Sequence, residues 1–187
     1  DVYKRQGISC IAYKGGTTMI HFVGAGPGAV DLITVRGQKL LETADQIIYA
    51  GSLVNPQLLA CAKKDCRILD SAGMTLEAVI AAMEEGEGQG WMTVRLHTGD
   101  PSVYGAIREQ MDILSQKGLA YDVVPGVSSF CAAAASLQAE YTLPGISQSV
   151  IITRMEGRTP VPDKQKIADY AAHQATMVIF LSASLLD

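Results

Sequence analysis

Five short apolar runs, at 20–24, 46–50, 67–70, 92–96 and 121–124, alternate with stretches whose apolar residues recur at helical spacing. This alternation constrains the fold more than any other feature of the chain. Each intervening segment is long enough for a crossover helix, so the runs are expected to pair as parallel strands with right-handed connections, an α/β sheet. Val35, Leu40 and Leu41 mark a helix over 34–44, and 56–62 reads as another. Thr75 caps a third that runs to about 85 and turns Leu76, Val79, Ile80 and Met83 inward; 106–117 supplies a fourth. Open parallel sheets take ligands at the carboxyl ends of their strands, which directs attention to the loops there.

After the fifth run, 128–139 reads as a helix of small residues, and Tyr141-Thr142-Leu143-Pro144-Gly145 breaks the pattern. We place a domain boundary at that break. Beyond it come a strand at 149–153, a Gly/Pro loop at 155–162, a helix at 164–173 and a strand at 176–181. Two strands and a helix do not bury a sheet face by themselves. The expectation is an N-terminal α/β domain over 19–142 and an incomplete C-terminal α/β domain over 146–187. Residues 1–18, with Lys4, Arg5 and Lys14, read as an extension outside the fold.

Composition removes several function classes. With 48% hydrophobic and 18% charged residues among 187, the chain matches packed domains rather than disordered sequence. A net charge of −4 argues against a nucleic-acid partner. The longest apolar runs, around 47–53 and 177–186, fall well short of the roughly 20 residues of a membrane-spanning helix, so no membrane role is expected. Cys10, Cys61, Cys66 and Cys131 show no metal-ligand spacing; no metal site is expected, and a reduced, cytoplasmic chain is favoured.

Three loops carry chemistry. Gly24-Ala25-Gly26-Pro27-Gly28 follows the first strand, where glycines permit close backbone approach. Its spacing is GxGxG rather than GxGxxG, Pro27 removes a backbone donor, and Tyr49-Ala50-Gly51 stands where a ribose-binding acid belongs, so a dinucleotide is disfavoured. A tight turn without a ligand is the plain alternative. Thr98-Gly99-Asp100-Pro101-Ser102-Val103-Tyr104-Gly105 follows the fourth strand and sets a carboxylate at a strand end, where it either serves a ligand or caps a turn. Val124-Pro125-Gly126-Val127-Ser128-Ser129 follows the fifth, with Ser128 as helix cap or ligand group.

Taken together and in this order, the three loops resemble those of the tetrapyrrole (corrin/porphyrin) methylases, S-adenosylmethionine-dependent enzymes. The resemblance runs from Met19 to the end of the chain and includes Asp31-Leu32-Ile33-Thr34-Val35-Arg36-Gly37. Within the family, Tyr49-Ala50-Gly51-Ser52-Leu53-Val54, His97-Thr98-Gly99-Asp100-Pro101 and Thr153-Arg154-Met155-Glu156-Gly157-Arg158-Thr159-Pro160-Val161-Pro162 are most similar to the branch that methylates a corrin precursor of cobalamin. The resemblance implies the two-domain fold of class III S-adenosylmethionine-dependent methyltransferases, a homodimer, the methyl donor in the cleft between domains and a tetrapyrrole in a trough over the first. Carried over by motif, Pro27, Thr98, Gly99, Asp100, Val103, Tyr104, Ser128, Ser129 and Leu181 bind the donor, while Gly26, Arg154 and Arg158 face the acceptor.

Methyl transfer from a sulfonium is an in-line displacement that relies on alignment and exclusion of water. Asp100 is the candidate catalytic carboxylate, either orienting the donor or taking a proton through water, and the orienting role is preferred. A polycarboxylate acceptor needs local cations, for which the guanidinium forks of Arg154 and Arg158 suit best; Arg36 fits a solvated surface charge better. His21 and His173 read as structural, and His97 either lines the cleft or is buried. Two competing readings are a sibling methylase with another acceptor and a binding fragment without turnover.

Overall fold

The computed structural model describes residues 19–157 and 159–183, so the expected extension at 1–18 and the position of Arg158 lie outside the described residues. The described residues divide into two compact units, one ending at Ser128 and the other beginning at Ser129.

In the first unit all five expected strands form: β1 (Ile20–Gly24), β2 (Gln46–Tyr49), β3 (Arg67–Asp70), β4 (Thr93–His97) and β5 (Tyr121–Val124). They make one parallel sheet in the order β3-β2-β4-β1-β5, with Gly24 opposite His97 and His21 opposite Asp122. The chain leaves β1 toward β2 and β3 on one side, then leaves β4 toward β5 on the other. The carboxyl ends of β1 and β4 therefore flank the point where strand order reverses, where open α/β sheets hold ligands.

Three α-helices cover the sheet. Helix α1 (Val35–Thr43) begins at Thr34, whose hydroxyl accepts from the Gly37 amide at 3.1 Å. Helix α2 (Leu76–Gly88) begins likewise at Thr75, and α3 is Ile107–Gln116. Leu40 and Leu41 of α1 pack with Val23, Ile47, Val94 and Leu96 on one face. Val79, Ile80 and Met83 of α2, with Ile107 and Leu114 of α3, meet Ile20, Phe22 and Ile48 on the other. Full burial of side chains of this size is worth about 1.5–3 kcal/mol each. The segment expected as a helix at 56–62 is instead a 3-10 turn, Pro56–Cys61, capped by the Asn55 side chain on the Gln57 amide. Proline opens it and Ala62 is already extended, leaving too few residues for a stable α-helix.

His21, expected to be structural, is fully buried in β1, and its Nδ1 donates to Asp122 Oδ1 across the strand pair at 2.6 Å. That bond answers the cost of burying a polar ring.

In the second unit α4 (Ser129–Leu137) is followed by β6 (Val150–Arg154), α5 (Ile167–Ala171) and β7 (Thr176–Phe180), with β6 and β7 parallel. The unit starts at α4 rather than after the break at 141–145. Phe130 of α4 packs on Tyr141 and edge-on against Phe180, and the Tyr141 hydroxyl donates to the Phe130 carbonyl at 2.6 Å. Thr176 Oγ1 in turn donates to the Tyr141 carbonyl at 2.8 Å, so the Pro-Gly break is a turn knitted into this unit. The expected helix at 164–173 splits into a 3-10 turn, Asp163–Gln165, and α5, because Lys166 between them is extended. Among the described residues no helix is long and apolar enough to cross a membrane.

Candidate functional site

Gly24 closes β1, while Gly99 and Gly126 sit just beyond β4 and β5, and the structure brings these three backbones into direct contact. A Cβ on Gly24 would lie 2.6 Å from Gly126 Cα, 2.6 Å from the Gly99 oxygen and 2.7 Å from the Gly126 nitrogen. The Gly26 amide donates to the Gly99 carbonyl at 3.2 Å and the Gly99 amide returns the bond to Gly26 at 2.8 Å, while the Ala25 amide donates to the His97 carbonyl at 2.7 Å. The loops carrying Gly26, Pro27, Thr98, Gly99, Asp100, Val103 and Tyr104 are thus one interlocked surface, joined by the Gly126 segment.

Asp100 is the clamp of that surface. Its Oδ2 accepts from the Gly126 amide at 2.9 Å, and its Oδ1 accepts from the Ser102 amide at 2.8 Å and from the Ser102 hydroxyl. Partial burial pulls its pKa upward, but the three hydrogen bonds outweigh this and hold the carboxyl below its ordinary value. A carboxylate so held is a weak base, which favours the orienting role over proton abstraction. The loop then turns through Tyr104 and Ala106, both left-handed at φ 57° and 51°, with Tyr104 45% exposed.

The Asn55 side chain was not singled out by sequence, yet its Nδ2 donates to the Gly28 carbonyl at 2.7 Å and so ties the first loop to the turn after β2. Asn before Pro is a visible helix-cap signal, but its reach across 27 residues is not. Asn55→Ala is expected to loosen the first loop while leaving the sheet intact. Hydrogen exchange of 26–30 should rise several-fold with thermal melting lowered by a few degrees at most, and unchanged exchange there would remove Asn55 from the site.

His97 does not line a cleft. It is 4% exposed, stacks on Phe22 with ring centroids 6.0 Å apart, and leaves Nε2 without a hydrogen-bond partner. Burial, with the Arg95 charge nearby, pushes its pKa down to about 3, so the ring is neutral. Arg36 is not gathered with the three loops either: with Lys39, Leu40 and Thr43 of α1 it borders a cavity of about 580 Å³ beside Met92 and Asp122.

Ser128, the last residue of the first unit, is buried. In the second unit Ser129 is exposed at the start of α4. Arg154 at the end of β6 donates from Nη1 to the Met155 and Thr159 carbonyls and from Nη2 to the Pro160 carbonyl at 3.0 Å, closing its own loop. Its fork shapes that loop rather than reaching freely outward. Leu181, after β7, is 70% exposed and left-handed at φ 55°, and borders a cavity of about 490 Å³ with Phe130, Tyr141 and Phe180.

A doubly covered parallel sheet with interlocked loops at its strand-order reversal is the arrangement in which open α/β domains hold small molecules. Residues 19–187 match the family model of tetrapyrrole (corrin/porphyrin) methylases, and the chain belongs to that family. It is 58% identical over 165 residues to a cobalt-precorrin-4 C(11)-methyltransferase of Methanocaldococcus jannaschii, covering 88% of this chain and 64% of that protein. A relative of the same description from Priestia megaterium is 51% identical over 89% of this chain and 64% of its own length. The chain therefore spans just under two thirds of these relatives. The X-ray structure of a cobalt precorrin-4 methyltransferase, a cobalamin biosynthetic enzyme, superposes with a TM-score of 0.88 at 48% identity, over 94% of this chain and 73% of that one. A uroporphyrin-III C-methyltransferase of Thermus thermophilus, solved with S-adenosylhomocysteine, gives 0.70 at 25% identity over 90% of this chain and 67% of that one. The fold is that of the class III S-adenosylmethionine-dependent methyltransferases.

Proposed function

We propose that this chain belongs to a methyltransferase that takes S-adenosylmethionine and methylates ring carbon 11 of precorrin-4 or cobalt-precorrin-4. The observation that carries the reading is the junction of the loops after β1, β4 and β5 into one backbone surface. That junction sits in a chain whose similarity to enzymes of this description reaches 58%.

The residues present suit such a donor. The loop of Asp100 is fixed by its own hydrogen bonds, and Tyr104 and Leu181 hold left-handed, exposed backbones of the kind that sites maintain at a cost. When bound, the sulfonium supplies an activated methyl group, whose bond to sulfur breaks as the ring carbon's electron pair attacks. The chain's part is to orient and to exclude water: Thr98, Gly99, Val103 and Tyr104 present the loop surface, Pro27 and Gly26 lie beside it, and Asp100 holds it rigid. Rigid placement is the main source of acceleration for such a displacement. Ser128, Ser129 and Leu181 are donor-binding residues as well in this reading. On the acceptor side, Arg154 shapes the loop that also carries Arg158, and that loop faces the carboxylates of the macrocycle. The reading also takes the enzyme to be a cytoplasmic homodimer.

Calorimetric titration with S-adenosylhomocysteine, of this chain and of a form extended through a full second domain, tests the proposal. Saturable binding by the extended form, retained or weakened in this chain, is the expected result. Absence of heat from both forms rejects the donor assignment.

A further inference from the structure

Two buried polar side chains lie behind the loop of residues 100–106, and their hydrogen bonds have not been described so far. Arg95 on β4 is 7% exposed and Gln110 on α3 is 5% exposed. Arg95 Nη1 donates to the Ile48 carbonyl of β2 at 3.1 Å, and its Nε donates to Gln110 Oε1 at 3.3 Å. Gln110 Nε2 donates onward to the Ala106 carbonyl at 3.0 Å. A guanidinium can only donate, so it obliges the amide oxygen of Gln110 to face it and thereby turns the amide NH2 toward Ala106. Glutamine is the side chain that accepts at one end of this chain of bonds and donates at the other.

The recipient explains the arrangement. Ala106 starts α3 in a left-handed conformation and has no capping side chain. Tyr104 is left-handed as well, and Gly105 between them passes so close to Pro101 that a Cβ would strike its carbonyl. Left-handed non-glycine residues are unfavourable and persist only where the surroundings over-determine them. Asp100 fixes the front of this loop through Ser102 and Gly126, and the Gln110 amide fixes the back.

We infer that Arg95 and Gln110 are positioning residues that brace the loop from Asp100 to Ala106 from behind and so set the affinity for the methyl donor. The inference rests on the assignment of that loop to donor binding, and goes beyond it by naming side chains that touch neither donor nor acceptor. Arg95 keeps its charge in this role: burial lowers its pKa only to about 10.

Gln110→Glu separates bracing from mere packing. A carboxylate still accepts from Arg95, and the buried ion pair keeps the core filled, but nothing then donates to the Ala106 carbonyl. Three readouts on the parent chain, Gln110→Glu and Gln110→Met decide the matter: thermal melting, hydrogen exchange of the 99–107 segment, and S-adenosylhomocysteine affinity by calorimetry. The expected result is a Gln110→Glu protein that melts within a few degrees of the parent, exchanges at 99–107 at least tenfold faster and binds the probe at least tenfold more weakly. Gln110→Met should match it in exchange and affinity while melting lower. Parent-like exchange and affinity in both variants would overturn the inference, as would faster exchange with unaltered affinity. If the parent itself binds no probe, the donor assignment falls and the role in affinity falls with it, and the exchange data then show separately whether the brace holds the loop.

Discussion

Gly126→Ala is expected to lower the melting temperature by about 10 °C and to abolish measurable S-adenosylhomocysteine binding. The added methyl group would meet the Gly99 carbonyl oxygen head on, with Gly24 Cα at 2.8 Å and the Gly24 carbonyl carbon at 3.0 Å. All three are backbone atoms, so no side chain can swing aside, and relief requires β1, β4 or the loop between β5 and α4 to move. Overpacking that forces backbone shifts typically costs 1–3 kcal/mol and sometimes more, and about 3 kcal/mol corresponds to a shift of roughly 10 °C for a domain of this size. The conformation of Gly126 is not the obstacle, since its φ is not in the left-handed region; proximity alone forbids a side chain. Gly88→Ala is the matched control: a Cβ there meets nothing within 4 Å, at the last residue of α2, and helix propensity gains up to about 1 kcal/mol. Differential scanning calorimetry of the two variants checks both statements. A Gly126→Ala protein melting within about 2 °C of the parent would mean that the three loops are not in contact.

The three loops were legible in the sequence as separate motifs, and their contact was not, because it depends on strand order. A parallel sheet in the order β3-β2-β4-β1-β5 sets β4 and β5 on either side of β1, and nothing local in 93–97 or 121–124 says so. Strand existence read well for the same reason that side-chain direction read badly. β1 and β4 are buried along their whole length, so their hydrophobicity marks a strand while giving no alternation to say which way His97 or Arg95 points. His97 was therefore open between cleft and core, and the stack on Phe22 settles it for the core. The Arg95–Gln110 and His21–Asp122 bonds join residues 15 and 101 positions apart, beyond the reach of spacing arguments. Arg154 shows a different limit: a guanidinium beside Gly- and Pro-rich sequence suits an external carboxylate and the loop's own carbonyls equally well, and the structure uses the carbonyls. The start of the second unit moved upstream because Phe130 packs on Tyr141 and Phe180, aromatic contacts that a helix of small residues gave no reason to expect.

Replacing Asp100 distinguishes a clamp from a base. Its carboxylate accepts three hydrogen bonds from Ser102 and Gly126, and hydrogen bonds to a charged acceptor contribute about 1.5–3 kcal/mol when well buried, less at a partly buried site such as this. Asp100→Ala leaves the Ser102 and Gly126 amides unpaired and frees the loop from the Gly126 segment. The expected outcome is a clear loss of stability and at least a tenfold loss of S-adenosylhomocysteine affinity. Asp100→Asn retains an acceptor oxygen for one side and turns an amide NH2 against a donor on the other, so it should fall between the parent and the alanine variant. The pH dependence has a definite sign. Because the folded carboxyl titrates below its ordinary value of 3.8, its stabilising contribution is complete above that value and disappears as pH falls through the lower, folded one. Parent and Asp100→Asn should thus differ in denaturant midpoint at pH 7 and converge as the pH is taken from 4 toward 2. For an extended chain with turnover, a clamp predicts that both variants weaken donor binding and that saturating donor restores most of the rate. A base predicts the reverse, donor affinity intact with the rate at saturation lowered a hundredfold or more in Asp100→Asn, and that pattern would assign Asp100 to proton transfer instead.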